Sequence, residues 1–202
     1  NMLRTELFDS FDLNVNIGLL NNGHAPVVQE RHFHFDEELF RLCPDHVDIR
    51  GYFQTEKYFK HIESEIRGDF TFKKEILAPC EEMMEGVSDP VALHVRRTDY
   101  VSNSANHPPC SLEYYKKALS RFEAHRTVIV FSDDPAWCNE QELFSGDHFM
   151  ISENQDNRID LCLMTLCSDF IIANSSFSWW GAWLANRGTV VAPQQWFGTD
   201  GY

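Results

Sequence analysis

The run His94-Val95-Arg96-Arg97-Thr98-Asp99-Tyr100 puts an imidazole, two guanidinium groups and a carboxylate within seven residues. Arginine carries a permanent charge and a planar fork of donors that fits phosphate oxygens. Asp99 stands two residues beyond Arg97, where a carboxylate can hold a guanidinium or take part in proton transfer. The competing reading is an ion pair at the surface, which does no chemistry. Two further stretches carry polar groups at short spacing. Asn174-Ser175-Ser176-Phe177-Ser178 offers hydroxyls and backbone N–H groups at the opening of a helix, which suits either phosphate binding or ordinary N-capping. Ser132-Asp133-Asp134 suits either Mg²⁺ chelation or a turn and helix cap, the latter being favoured. His32 and His34 could begin a metal site, but no second ligand pair follows, so a polar strand face is expected there.

The composition narrows the ligands that these groups can serve. A formal charge of −14 argues against nucleic acid or an anionic membrane as the general partner, so any anion must be held locally. No run approaches the ~18 apolar residues of a membrane span, and no signal-peptide pattern opens the sequence. The six cysteines lack metal-ligand or disulfide spacing and read as reduced, mostly buried thiols. The expected location is the cytoplasm, or the periphery of the inner membrane face.

The elements that must position these residues become regular after Pro90. Val91–Val95 reads as a buried strand, followed by a long loop and a helix from Ser111, its N-cap, to Phe122. Strand Thr127–Phe131 precedes a helix with Asp134 as cap and Pro135 at its first position, running to about Phe144. Strand His148–Ile151, a helix over 157–167, strand Phe170–Ala173, a Ser-rich turn, a helix over 179–186 and strand Thr189–Ala192 follow. Five strands alternating with helices predict an α/β fold with a doubly wound parallel sheet, whose ligands bind beyond the carboxyl ends of the strands. Gly181-Ala182 would let the last helix pack closely on that sheet; Trp179 and Trp183 share one of its faces and read as core rather than as a sugar platform.

The first half is less regular. Phe8 to Ile17 hints at an extended segment, Asn21-Asn22-Gly23 at a turn, and Arg31–Phe35 alternates as a strand would. Val47–Phe53 reads as a strand, Gln54–Ile66 as a helix, and Phe72–Met84 as a helix interrupted or kinked at Pro79. The division expected is 1–88 and 89–202.

In detail the sequence resembles the α-1,2-fucosyltransferase family, inverting enzymes that use GDP-fucose. The resemblance is carried by Gly51–Phe59, His94–Tyr100, Cys110–Tyr115, Phe131–Asp134, Asp160 through Leu184 and Pro193–Phe197. It implies a GT-B-like architecture, with residues 89–202 as a Rossmann-like donor domain and 1–88 as an incomplete acceptor-side region lacking the family's Gly-rich opening segment. It implies transfer of L-fucose from GDP-fucose to the 2-OH of a terminal galactose of a glycan, with inversion and without a metal. Arg96 and Arg97 would bind the diphosphate, His94 and Asp160 would contact the guanine, Ser175 and Ser176 would hold phosphate, and Asn174 would belong to the same donor-binding set. Asp99 and His107 are the candidates for general base, since Ser102-Asn103-Ser104 stand where α-1,6 relatives place a glutamate. The alternative is a module that binds GDP or a GDP-sugar without transferring it.

Overall fold

A computed structural model of the chain describes residues 8–13, 25–153 and 156–199. Val15, Ile17 and the expected turn at Asn21-Asn22-Gly23 lie outside the described residues. The described residues divide into two compact units, one within 11–71 and the other made of 8–10 together with 72–199. The helix before the expected boundary at residue 88 therefore belongs with the second unit.

In the first unit β1 (Val27–Gln29) pairs in parallel with β2 (Asp48–Arg50); α1 (Glu37–Leu42) connects them in the chain, and α2 (Glu63–Asp69) follows β2. The alternating run Arg31–Phe35 is a bend rather than a strand, and the rings of His32 and His34 stack at 3.6 Å. Charge pairing overrides the alternation here. Asp36 caps α1 by accepting from Leu39 N at 2.9 Å, and the Arg31 guanidinium grips the same carboxylate at 2.6 Å. That grip, with the Leu39 bond, holds the Asp36 carboxyl far below its ordinary range. Glu30 accepts from Tyr52 N, Phe53 N and the Tyr58 hydroxyl, so the chain must turn between these two carboxylates. The expected helix over Gln54–Ile66 splits into 3-10 turns at Glu56–Tyr58 and Lys60–Ile62 before α2.

The second unit holds α3 (Lys74–Met83), which runs through Pro79, and β3 (Val91–Val95). A short α4 (Thr98–Ser102) follows, then α5 (Leu112–Leu119), β4 (Val128–Ser132) and α6 (Pro135–Asn139). The chain continues with β5 (Phe149–Ile151), α7 (Asn157–Leu166), β6 (Asp169–Ile171), α8 (Ser176–Ala185) and β7 (Val190–Val191). All five strands are parallel in the order β5-β4-β3-β6-β7, with Val91 opposite both Val128 and Asp169. This is the Rossmann order, and its reversal point lies between β3 and β6.

Strand alternation divides the buried residues of β3 between two faces. Val91, Leu93 and Val95 pack with Tyr115 and Ala118 of α5, Cys138 of α6 and Phe144. Ala92 and His94 face the other way, and His94 meets Phe177 of α8 at 5.3 Å. Every residue of β3 is buried, as a parallel strand covered on both faces requires. Gly181 faces Met164 of α7, where a Cβ would stand 3.2 Å from the Met164 side chain. Its small size thus serves helix–helix contact rather than the expected contact with the sheet.

The helix starts follow the capping chemistry of the sequence. The Ser111 hydroxyl accepts from Tyr114 N at 3.2 Å, and Asp134 accepts from Trp137 N at 3.2 Å with Pro135 at the first position of α6. α6 ends at Asn139, and a 3-10 turn covers Glu142–Phe144, so the expected helix to Phe144 is two pieces. α8 ends at Asn186 in the left-handed conformation, which asparagine tolerates.

Candidate functional site

Three strands deliver polar side chains to the carboxyl edge of this sheet. β3 brings His94 and, one residue past its end, Arg96; β4 brings Phe131, Ser132 and Asp133; the chain after β5 brings Glu153. With Pro135, Ala136 and Asn139 of α6, Asn157 and Asp160 of α7, and Phe177 of α8, they enclose a cavity of about 680 Å³. That volume is within the range of small-molecule sites.

His94 is the most unusual member. It is 4% exposed, and its Nδ1 makes no hydrogen bond. Burial pushes the imidazole pKa down to about 4, with Arg96 acting in the same direction and Asp133 against it, so the ring is neutral at pH 7. A buried polar atom without a partner costs free energy and marks a place where a ligand or water completes the structure. The His94 main chain is fixed by the Tyr115 hydroxyl, which donates to its carbonyl at 3.1 Å.

Asp133 organises the loop that follows β3. Its carboxylate accepts from Arg97 N at 2.9 Å, from Thr98 N at 3.1 Å and from the Thr98 hydroxyl. Burial raises its pKa, but these donors and Arg96 outweigh it, and the carboxyl lies below its ordinary value. Arg96 pairs with Asp133 at 3.3 Å and with Asp99 at 2.8 Å. Asp133 and Asp134 therefore act in loop anchoring and helix capping.

The remaining sequence candidates fall in different places. Asp160 is buried in the cavity lining and accepts from the Ser152 hydroxyl at 2.6 Å. Arg97 is outside the lining: its guanidinium lies 3.8 Å over the Trp137 ring and 3.3 Å from Asp134. Asp99 and His107 also stand outside it, Asp99 exposed beside Arg96 and His107 with its ring against Tyr100 at 5.2 Å and Phe197 at 5.8 Å. Asn174 is buried and donates both amide hydrogens within the protein, to the carbonyls of Pro108 and Trp196 at 3.1 and 2.9 Å. It also accepts from the Tyr100 hydroxyl through its carbonyl at 2.9 Å, so it ties three loops together. Ser175 is buried at the N-cap of α8 with its side chain unused in capping, and Ser176 is exposed in the first turn. Trp179, Trp180 and Trp183 form a half-buried aromatic cluster, Trp179 and Trp183 stacked at 6.1 Å.

Sequence reasoning thus placed His94, Arg96 and Asp160 in one cavity but missed Glu153, Asn139, Asn157 and Phe177 as its walls. Phe177 was within reach, since it follows the Ser175-Ser176 pair at the start of α8.

A family model described as glycosyl transferase family 11 matches residues 26–200. An alpha-1,2-colitosyltransferase of Escherichia coli is 37% identical over 165 residues, covering 75% of this chain and 56% of that protein. The galactoside 2-alpha-L-fucosyltransferase Sec1 of Mus musculus is 28% identical over 196 residues, covering 87% of this chain and 53% of that protein. The chain spans about half the length of the curated relatives it matches. Among solved structures, POFUT1 in complex with GDP has the same fold, with a TM-score of 0.54 at 13% identity over 74% of this chain and 55% of the other. The match across 26–200 and the motifs within it show that the chain belongs to glycosyl transferase family 11, the α-1,2-fucosyltransferase family.

Proposed function

We propose that this chain binds GDP-fucose at the carboxyl edge of the five-stranded sheet and serves the transfer of L-fucose, with inversion, to the 2-OH of a terminal galactose. The observation that carries this reading is the juxtaposition of the unpartnered buried His94 with Arg96 in one cavity at the carboxyl edge of a Rossmann-ordered sheet. His94 and Asp160 would meet the guanine. Arg96 and the N-terminus of α8, with the Ser175 hydroxyl that makes no capping bond, would meet the phosphates. Arg97, stacked on Trp137, would act on the diphosphate by holding the loop of Arg96 in place.

The chemistry then follows from charge. As the glycosidic bond to GDP breaks, negative charge grows on the diphosphate, and a placed guanidinium stabilises it without a metal. The acceptor hydroxyl attacks the anomeric carbon from the opposite face through an oxocarbenium-like transition state. Of the two general-base candidates we assign His107 to the proton, because Asp99 is already engaged with Arg96. The architecture would be of the GT-B kind, with the unit over 11–71 contributing to the acceptor side and the unit from Phe72 onward to the donor side, in the reducing cytoplasm where six free thiols are at home.

A second donor is favoured by one finding: the relative at 37% identity is named as a colitosyltransferase, whereas the fucosyltransferase at 196 aligned residues is 28% identical. Calorimetry in the presence of EDTA tests both readings. GDP should bind in preference to UDP and ADP, and GDP-fucose and GDP-colitose should then be compared directly. Equal binding of UDP, or loss of GDP binding on chelation, overturns the donor-site reading; a clear preference for GDP-colitose replaces fucose as the sugar.

A further inference from the structure

Among the described residues that line the cavity, Arg96 carries the one permanent positive charge, against the carboxylates of Asp133, Glu153 and Asp160. A nucleoside diphosphate arriving there must compete with carboxylates for that guanidinium. The two partners of Arg96 differ in how firmly they are held. Asp133 is 18% exposed and is fixed by Arg97 N, Thr98 N and the Thr98 hydroxyl as well as by Arg96. Asp99 is 60% exposed, sits in the first turn of α4, and pairs with Arg96 at 2.8 Å. Arg97 cannot take over, because its guanidinium is spent on Trp137 and Asp134.

We propose that Asp99 is an exchangeable counter-ion of Arg96, which the phosphates of a bound nucleotide displace and which reclaims the guanidinium when the nucleotide leaves. This rests on the donor-site reading above and reassigns Asp99 from proton transfer to control of nucleotide retention. Physically, the free site keeps Arg96 neutralised at small cost, since an exposed pair of this kind is weak. Phosphate, with more charge and more acceptor oxygens, wins the guanidinium but loses part of its binding energy to the displaced carboxylate nearby. The consequence is a donor site tuned for release of GDP rather than for its tightest retention.

Calorimetry with GDP and with guanosine, on the parent chain, Asp99→Asn and Asp99→Glu, at low and high salt, tests this. Asp99→Asn should bind GDP about two- to tenfold more tightly near 50 mM salt, the gain shrinking near 500 mM as the charges are screened. GDP dissociation should slow by a similar factor, guanosine affinity should stay unchanged, and Asp99→Glu should behave as the parent does. GDP binding by Asp99→Asn that is equal to or weaker than the parent's, with the same melting temperature, overturns the proposal. So does equal tightening of guanosine, which has no phosphates. Asp99→Ser serves as the same test if the asparagine variant melts lower. Failure of the parent chain to bind GDP at all would instead overturn the donor-site reading beneath it.

Discussion

His94→Leu separates two consequences of one buried imidazole. In the ligand-free chain the ring is 4% exposed and its Nδ1 has no partner. Such an atom costs about 1–3 kcal/mol, so an aliphatic side chain of similar size should stabilise the fold by about that amount. For a chain of this length, each kcal/mol is worth about 2–4 °C in Tm. On the proposed donor-site reading the same substitution would remove one hydrogen bond to a bound nucleotide, about 0.5–1.5 kcal/mol, or roughly 2- to 12-fold in Kd. The effect should also depend on pH. Burial holds the folded pKa down at about 4, whereas an unfolded histidine titrates near ~6.5. Between those values the unfolded chain binds a proton that the folded chain refuses. The contribution of His94 to stability is therefore intact above ~6.5 and is lost as pH falls towards ~4, by ~3 kcal/mol in all and by ~1.4 kcal/mol at pH 5.5. Leucine has no such linkage, so its advantage should widen from pH 7.5 to 5.5. Paired urea unfolding at the two pH values, with GDP calorimetry at the higher, measures each part. A variant that is less stable than the parent, or that keeps full GDP affinity, would refute the reasoning.

Arg96→Ala should weaken GDP binding by about 1.5–3 kcal/mol, roughly 10- to 150-fold, while Arg41→Ala on the exposed α1 leaves it unchanged. Arg96→Lys should also bind GDP less tightly by calorimetry, since an ammonium lacks the fork. Asn174→Ala strands the carbonyls of Pro108 and Trp196, and chemical denaturation should show a loss of ~2–4 kcal/mol. Gly188 has φ +68°, and a Cβ there would stand 1.7 Å from the Ser168 carbonyl oxygen, so Gly188→Ala should lower stability by more than ~2 kcal/mol in the same assay.

The second unit was readable because its signals are local. The apolar run of β3, the Ser111 cap and the Asp134-Pro135 start each specify an element within a few residues, and each is where the sequence puts it. α4 was missed because Thr98–Ser102 is a single turn too short to show a period, and its geometry comes from Asp133, 35 residues away. α8 begins at Ser176 rather than Trp179, because serines that read as a turn are tolerated in a first helical turn. In the first unit the apparent strand at Arg31–Phe35 yields to the demands of Glu30 and Asp36, which no alternation rule contains. The site divides in the same way. His94 and Arg96 follow from one strand end, whereas Glu153, Asn139 and Asn157 reach the cavity only through the strand order, which is set by nonlocal pairing.

The acidity of the cavity lining is at first sight at odds with an anionic ligand in a chain of formal charge −14. The two ends of a guanine nucleotide resolve it. The guanine edge presents N1–H and an adjacent 2-amino group, two parallel donors that suit an acceptor-only carboxylate; adenine offers no such pair and uracil a single N–H. On the proposed reading Asp160, buried and bonded by the Ser152 hydroxyl, would be that acceptor, with the neutral His94 in the same lining. Asp133 is spent on backbone N–H groups and on Arg96, so its charge is largely answered before any ligand arrives. On the same reading the phosphates would meet a different environment from the base: the Arg96 guanidinium, and the N-terminal dipole of α8 beyond β6. A general negative field discourages loosely held anions. Only a molecule that satisfies both ends, donors for the carboxylate and oxygens for the fork, gains more than the field costs. Selectivity for guanine over other bases should therefore exceed selectivity among guanine nucleotides. A GDP-to-IDP comparison, in which only the 2-amino group is lost, reads the carboxylate's share directly, and equal affinities would remove Asp160 from the base-recognising role.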